Sequence, residues 1–98
     1  MAKKPETLFK ERVLPLIKAL PNTWAVKIQQ VAIRGTPDII ACVNGHFVAI
    51  ELKTDIGKID KLQQYTLGSI KNANGLAYVV SPKNWDDLYV KLVVLSRS

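Results

Sequence analysis

The sequence contains one cysteine, one histidine and few aromatic residues among its 98 positions. One cysteine cannot form a disulfide within the chain, and it excludes a structural zinc site built from several cysteines. The sequence also lacks an apolar run of about 18 residues, which a membrane-spanning helix requires. No signal peptide opens the chain. We therefore expect an intracellular, cytoplasmic protein that does not enter a membrane.

Acidic residues are scarce as well. Eight Asp and Glu stand against 14 Lys and Arg, which gives a formal net charge of +6. Such an excess favours a partner with a phosphate backbone, although a generic basic surface has the same composition. The length suits a single domain over residues 1–98. A domain of this size buries only about 60–65% of its unfolded surface, which favours a shallow site or one completed by a second subunit.

Asn44-Gly45 lies between two apolar runs, and this is the strongest short-range signal for a β-hairpin with a type I′ turn. If these residues form the turn, Val43 pairs with His46, and counting outward places Asp38 opposite Glu51. Like charges directly opposed on paired strands are destabilising, so stability alone does not explain them. A divalent cation between them would explain the pairing, because Mg²⁺ prefers carboxylate oxygens and keeps several waters for chemistry.

Lys53 lies two residues beyond Glu51 and therefore projects from the same face of the strand. Two metal-binding carboxylates with an adjacent ammonium form a site that can attack a phosphodiester. For either acid alone, a solvated carboxylate at a strand end is the more frequent explanation. Lys53 could likewise form a plain ion pair with Glu51, worth little if exposed. The opposed pairing of the two acids is what favours a metal site.

The remaining pattern predicts the order α-β-β-β-α-β-α, an α/β sandwich with a mixed four-stranded sheet flanked by helices. A first helix begins at Pro5, and we expect Pro15 to kink or divide it. The first strand is predicted at residues 24–30. Asn74-Gly75 ends the second helix, and a third helix begins near Pro82. Residues 93–95 could form a further strand or an apolar tail.

The two strands of the hairpin are nearly continuous in apolar residues, which indicates that both faces of the sheet are covered. We expect Cys42 to be a small core residue. His46 follows the turn at the end remote from Asp38 and is not expected to be catalytic. The aromatic residues do not cluster in sequence, so five of them are interpreted as core or boundary positions rather than a base-stacking platform: Trp24, Tyr65, Tyr78, Trp85 and Tyr89.

Pro37-Asp38 followed by Glu51-Leu52-Lys53 resembles the signature of the PD-(D/E)XK nucleases. The wider run over residues 29–63 looks like a stand-alone VRR-NUC domain of the phage type, and the resemblance extends over residues 6–82. The short signature recurs by chance, but the hairpin register, the flanking helices and Gln63 strengthen it. The resemblance implies a restriction-endonuclease-like sandwich and a DNA endonuclease that depends on Mg²⁺ or Mn²⁺, with no small-molecule cofactor.

The resemblance also implies the residues of the site. Four would be catalytic: Asp38, Glu51, Lys53 and Gln63. The metal would be held by three carboxylates and one main-chain carbonyl, those of Glu6, Asp38, Glu51 and Leu52. Lys53 would stabilise charge on the phosphate and orient the attacking water, while the identity of the general base stays open. Gln63 would hold Lys53 or a water, because a buried amide needs partners.

Glu6 and Glu11 compete for the role of the first-helix acid. Glu6 shares the helix face of Phe9 and Val13, which packs on the sheet, whereas Glu11 lies farther round. An acid at the N-terminal end of the packed face can reach the site, and the family's acid matches position 6 better. Alternatively, Glu6 only stabilises the helix N-terminus through the macrodipole.

The expected partner is DNA. Four basic residues surround the proposed site in the predicted topology and could bind phosphates, namely Lys27, Arg34, Lys58 and Lys61. A solvated basic surface explains any one of them equally well. The resemblance further implies a homodimer that acts on branched DNA such as four-way junctions. Two rival interpretations are a catalytically silent nucleic-acid-binding module with the same fold, and a small structural protein whose acidic pair binds Ca²⁺.

Overall fold

The structure is a computed structural model that describes residues 5–29, 35–53 and 59–98, with side chains from Leu8 onward in the first range. The helices and strands are α1 (Pro5–Lys18), β1 (Thr23–Lys27), β2 (Ile39–Val43), β3 (His46–Leu52), α2 (Lys61–Asn72), β4 (Leu76–Val80) and α3 (Trp85–Arg97). This order is the predicted one. Within the described ranges, no helix combines the length and the apolar character needed to cross a membrane.

The four strands form one mixed sheet in the order β1-β2-β3-β4. The β1–β2 and β2–β3 pairs are antiparallel, and the β3–β4 pair is parallel, so α2 lies on the crossover between β3 and β4. Asn44 and Gly45 have φ angles of 51° and 86°, as a type I′ turn requires. The predicted hairpin register is confirmed from Val43↔His46 to Ile39↔Ile50.

The two faces of the sheet are covered unequally. One face supplies Ile39, Val48 and Ile50 to the main core, where they pack with buried residues of α1 and α3. The other face contributes a small cluster in which Ala49 and Ala77 lie under Leu67 of α2. This second cluster lies on β3 and β4, so α2 shields only the β3–β4 half of this face of the sheet.

Several local predictions were wrong. Pro15 does not divide α1, which continues to Lys18. Val13 and Ile17, on either side of it, are fully buried and hold the helix on the sheet. Strand β1 ends at Lys27 rather than at residue 30, and residues 93–95 continue α3.

The predicted burial of the aromatic residues was only partly right. Trp85 is buried, and Tyr78 and Tyr89 are half-buried. Trp24 and Tyr65, however, are 60% and 75% exposed. Cys42 is exposed as well, opposite Trp24 on the neighbouring strand. The expectation that both sheet faces are covered therefore holds for one face and for half of the other.

The last turn of α3 is held by two asparagines in turns. The side-chain amide of Asn22 donates to the carbonyl of Ser96 over 3.0 Å, and that of Asn44 donates to Leu95 over 3.3 Å. Asn44 also donates to the carbonyl of Ser98. These bonds satisfy carbonyl groups that the end of a helix leaves without a partner in the helix. The hairpin turn therefore fixes the position of α3 as well as the register of the sheet.

Two glycine-to-alanine substitutions should have opposite effects, although open space surrounds the position of a Cβ atom at both. Gly45 has a φ of +86°, a conformation that costs a residue with a Cβ roughly 1–2 kcal/mol, so Gly45→Ala should lower the free energy of unfolding. Gly68 lies inside α2, where Ala is favoured over Gly by roughly 0.5–1 kcal/mol, so Gly68→Ala should raise it. Urea denaturation measures both, and effects of the same sign would contradict the turn geometry.

Candidate active site

Two carboxyl groups face each other at one end of the hairpin. The ladder runs to Ile39↔Ile50, and the next residues outward are Asp38 and Glu51. The two side chains are within hydrogen-bonding reach of each other when one carries a proton. Glu51 is only 3% exposed, whereas Asp38 is half-buried. The hairpin turn, by setting the register, brings together two acids that are 13 positions apart in sequence.

The Glu51 carboxyl group has one satisfied and one unsatisfied oxygen. Its Oε1 accepts a hydrogen bond from Nε2 of Gln63 over 3.0 Å. Its Oε2 is buried and, while both acids are charged, has no hydrogen-bond partner among the described residues. A buried polar atom without a partner costs on the order of 1–3 kcal/mol, and more if charged. A cation beside Oε2 would remove this cost, so the donor atoms present fit a hard divalent metal.

Asp38 is held in place by the main chain on both sides. Its Oδ2 accepts from the main-chain amide of Leu52 over 2.8 Å, and its main-chain carbonyl accepts from the amide of Ile28 over 2.8 Å. The carbonyl of Leu52 was predicted from the sequence to be a metal ligand, and that assignment stays a prediction. The amide of the same residue, which the sequence analysis missed, orients Asp38.

The pKa of Glu51 is raised from its ordinary value of 4.5 to about 8. Burial is the largest cause, because the charged form loses its hydration, and the hydrogen bond and the charge of Asp38 add to it. The positive charges of Lys53 and Lys10 act in the opposite direction and lower the pKa. In the metal-free protein at neutral pH, Glu51 therefore carries a proton that a bound cation would displace.

Gln63 is oriented by the cap of α2. Its Oε1 accepts from the amide of Asp60 over 3.0 Å, while Oδ1 of Asp60 accepts from the amide of Gln63 over 2.8 Å. This reciprocal pair is a capping box. Because Oε1 is engaged at Asp60, Nε2 is the group that faces Glu51. The sequence analysis placed Gln63 beside the site but expected Lys53 or a water as its partner, and the structure shows Glu51 instead.

The sequence analysis also missed Asp60 and Lys10. Asp60 could have been found from the pattern of an N-cap residue followed three positions later by Gln63. Lys10 lies in α1, one helical turn after Glu6, and its half-buried side chain acts on Glu51. Lys53 is half-buried, and its amide donates to the carbonyl of Val80 over 2.8 Å. Two lysines from different elements therefore flank the acid pair.

The structure describes the remaining predicted site residues only in part. Glu6 lies in the first turn of α1, but its side chain is outside the described part of the structure, as are Arg34 and Lys58. Lys61 is exposed at the start of α2. Lys27 is exposed at the end of β1, where its pairing with Ile39 puts it on the sheet face opposite Asp38. Their roles in binding DNA stay predictions.

No cluster of three metal-ligating side chains is present in the described part of the chain. The described His, Cys, Asp and Glu side chains form no group of three or more that could hold a metal. Asp38 and Glu51 form a pair, and a third carboxylate would have to come from a side chain outside the described ones, such as Glu6. The assignment of Glu6 as a ligand stays a prediction.

The fold is shared with a solved nuclease. The chain matches the structure of Hjc from Archaeoglobus fulgidus, a Holliday junction resolvase from an archaeal hyperthermophile, with a TM-score of 0.52 and 24% sequence identity. The match covers 78% of this chain and 67% of that chain. It confirms the predicted fold class, an α/β sandwich with a mixed four-stranded sheet. A scan against protein-family models finds no match, and a search of curated proteins finds none either.

In metal-free buffer, the free energy of unfolding should fall as the pH rises from 4.5 toward 8, the ordinary and the folded-state pKa of Glu51. Between these values the folded state holds the Glu51 proton and the unfolded state has lost it, so each rise in pH favours the unfolded state. The stability that the Glu51 proton contributes is complete below the lower pKa and is lost as the pH passes the higher one.

Glu51→Gln is the matched control, because its amide can donate to Asp38 as the protonated acid does, without titrating. Its denaturation profile across this pH range should be flatter than that of the wild type. Two profiles with the same slope would show that Glu51 is not the titrating group.

Gln63→Glu should destabilise the metal-free protein at neutral pH. The new carboxylate keeps an acceptor for the amide of Asp60, so the capping box survives, but it removes the donor to buried Glu51 at a cost of about 1–3 kcal/mol. The neighbouring Gln64 is exposed, so Gln64→Glu should change stability by no more than about 0.5 kcal/mol. Chemical denaturation compares the two variants. Equal losses would mean that Gln63 does not act through Glu51.

Proposed function

We propose that this protein is a DNA endonuclease of the PD-(D/E)XK class, similar to VRR-NUC domains, that depends on Mg²⁺ or Mn²⁺. One observation carries the proposal: the buried carboxyl of Glu51 faces Asp38 and keeps one oxygen without a partner among the described residues. The fold shared with a Holliday junction resolvase supports it. DNA is the proposed substrate, and the chain acts inside the cell.

In this proposal, the metal is held by Asp38 and Glu51, with the carbonyl of Leu52 and the side chain of Glu6 as further ligands. When bound, the metal would activate a water and stabilise negative charge on the phosphate. The chain prepares the two central ligands by hydrogen bonds. The amide of Leu52 engages Oδ2 of Asp38, and Gln63 engages Oε1 of Glu51, which directs Oε2 toward the cation.

Lys53 and Lys10 supply positive charge at the same place. Both act on Glu51 electrostatically, and in this proposal both attract a phosphate to the metal. Lys53 orients the attacking water and stabilises the phosphate as its charge grows. Lys27, Arg34, Lys58 and Lys61 contact the DNA backbone in this proposal, in keeping with the net charge of +6.

The substrate we propose is branched DNA, such as a four-way junction, cut by a homodimer. The structural neighbour is a Holliday junction resolvase. A junction has two equivalent strands to cut, whereas one copy of this chain carries one Asp38–Glu51 pair. Two copies related by a two-fold axis would present two sites, and this is the commonest symmetry of soluble oligomers.

The two rival functions are less well supported. A silent DNA-binding module has no need for the paired acids or the lysine beside them, yet Asp38, Glu51 and Lys53 are all present. A structural Ca²⁺ site would suit the acid pair but gives no reason for the excess of basic residues over the rest of the chain.

The test incubates the protein with Mg²⁺ and a panel of linear, flap and four-way-junction DNAs. Asp38→Asn and Glu51→Gln should each reduce the cleavage rate by at least about 100-fold, because losing a ligand costs more than the 10–100-fold typical of groups behind the ligands. Lys53→Ala should reduce it by about 100-fold or more as well, because it removes a group that stabilises the developing charge on the phosphate. Asp86→Asn removes an exposed acid from the first turn of α3, and it should cleave like the wild type.

Folding and DNA binding serve as controls for these variants. Circular dichroism should be unchanged, and binding to the same DNAs in Ca²⁺ should persist. Wild-type cleavage by Asp38→Asn would end the metal-site model. Binding without cleavage by the wild type would favour the silent module.

A further inference from the structure

Half of the sheet face that carries the acid pair is apolar, and none of the described helices covers it. Trp24 pairs with Cys42, which pairs with Phe47, and the three side chains point to this face. Trp24 and Phe47 are 60% and 46% exposed, and Cys42 is exposed too. A second row, Val26 and Ile40, is half-buried. We call these five residues the open face.

The composition of the open face does not suit contact with water. A sheet face that is solvated normally carries polar residues in alternation with the buried ones. Here all five positions are apolar or weakly polar, and none is charged. The other half of the same face, with Ala49 and Ala77, is packed under α2. The open face therefore has the sequence of a covered surface without a cover among the described residues.

The flank of α2 extends this surface. Gly35, shortly before β2, approaches α2 so closely that a Cβ atom there would lie 2.8 Å from the carbonyl oxygen of Leu62. The first turn of α2 therefore lies beside the residue that leads into β2, and the side chain of Leu62 is 45% exposed there. Together, the open face and Leu62 expose apolar area on the order of 400 Å², the size of the largest apolar patch on a typical monomer, which is often a functional surface.

The area also suits one kind of partner. A stable interface buries about 800 Å² on each side, with an apolar centre inside a polar rim, and the open face with Leu62 supplies an apolar centre of about half that area. DNA fits poorly, because docking on the phosphate backbone requires cations, and the open face has none. A second copy fits, because two chains that each carry +6 repel each other except where they meet through an uncharged surface.

We propose that two copies of this chain pair through their open faces around a two-fold axis. A two-fold contact is self-complementary, so an apolar surface without charge can face its own copy without an unpaired ion. The acid pair lies on the same sheet face, at the Ile40 end of the open face, so pairing brings both sites into one assembly. This use of the pairing rests on the proposed function, whereas the pairing itself does not.

Trp24→Lys and Phe47→Lys test the surface by placing like charges across the interface. The wild type should have about twice the 10.9 kDa chain mass by light scattering at micromolar concentration. Each variant should weaken dimerisation at least roughly tenfold, as expected for an aromatic residue at the centre of an interface. Val90→Lys is the matched control, because Val90 is 61% exposed on α3, and this variant should stay dimeric. Dissociation by Val90→Lys but not by Trp24→Lys would overturn the proposal.

Cys42 offers a second test, in which its own thiol reports on the interface. It is the one cysteine of the sequence and lies between Trp24 and Phe47, so the proposed interface covers its thiol. A maleimide should label Cys42 of the wild-type dimer at least roughly tenfold more slowly than it labels Cys42 of Phe47→Lys, and equal labelling rates would overturn the proposal. This measurement decides the question if Trp24→Lys does not fold.

The proposed function can fail separately. A dimer that protects Cys42 from the maleimide but cuts no DNA overturns the nuclease and keeps the interface. A clean monomer that cuts DNA, or a DNA-cutting dimer whose Cys42 reacts as fast as in Phe47→Lys, overturns the interface and keeps the nuclease.

Discussion

The structure depends on keeping the carboxyl group of Glu51 out of water while it faces a second acid. Burial and Asp38 both disfavour the charged form, so the group must be neutralised by a proton or by a cation. The surrounding bonds prepare it for that choice. The amide of Leu52 fixes Asp38, and Gln63 occupies one oxygen of Glu51 and leaves the other without a partner among the described residues. In this way the fold buries a carboxyl group whose negative charge a bound cation can neutralise.

The topology explains why the supporting groups arrive at the same place. Strands β3 and β4 are parallel, so the chain must cross over between them, and α2 lies on that crossover. The first turn of α2 can therefore reach the end of β3, where Glu51 lies. The capping box that starts the helix also orients Gln63 toward the acid. The same hydrogen bonds that cap the start of α2 therefore also orient a side chain of the site.

Local features of the sequence were predictable, and features that depend on packing between distant segments were not. The hairpin register follows from Asn44-Gly45, because turn geometry is a property of adjacent residues, and the acid pair follows from the register. The contribution of Lys10 depends on how α1 packs, and no pattern around Asp38 indicates it. The exposure of Trp24 was missed for the same reason, because an apolar residue in a strand does not reveal which half of a sheet the helices cover.

The short separation between Asp38, Glu51 and Gln63 along the chain has a consequence for the order of folding. Closing a short loop costs less entropy than closing a long one, so the β2–β3 hairpin can form before elements that are distant in sequence come together. The end of α3, by contrast, is held by Asn22 and Asn44 across 74 and 51 positions. The two acids would therefore meet early, while both are still in water, and the burial that contributes most to the raised pKa of Glu51 would follow as the helices dock. Protonation of Glu51 would then matter more for completing the fold than for forming the hairpin.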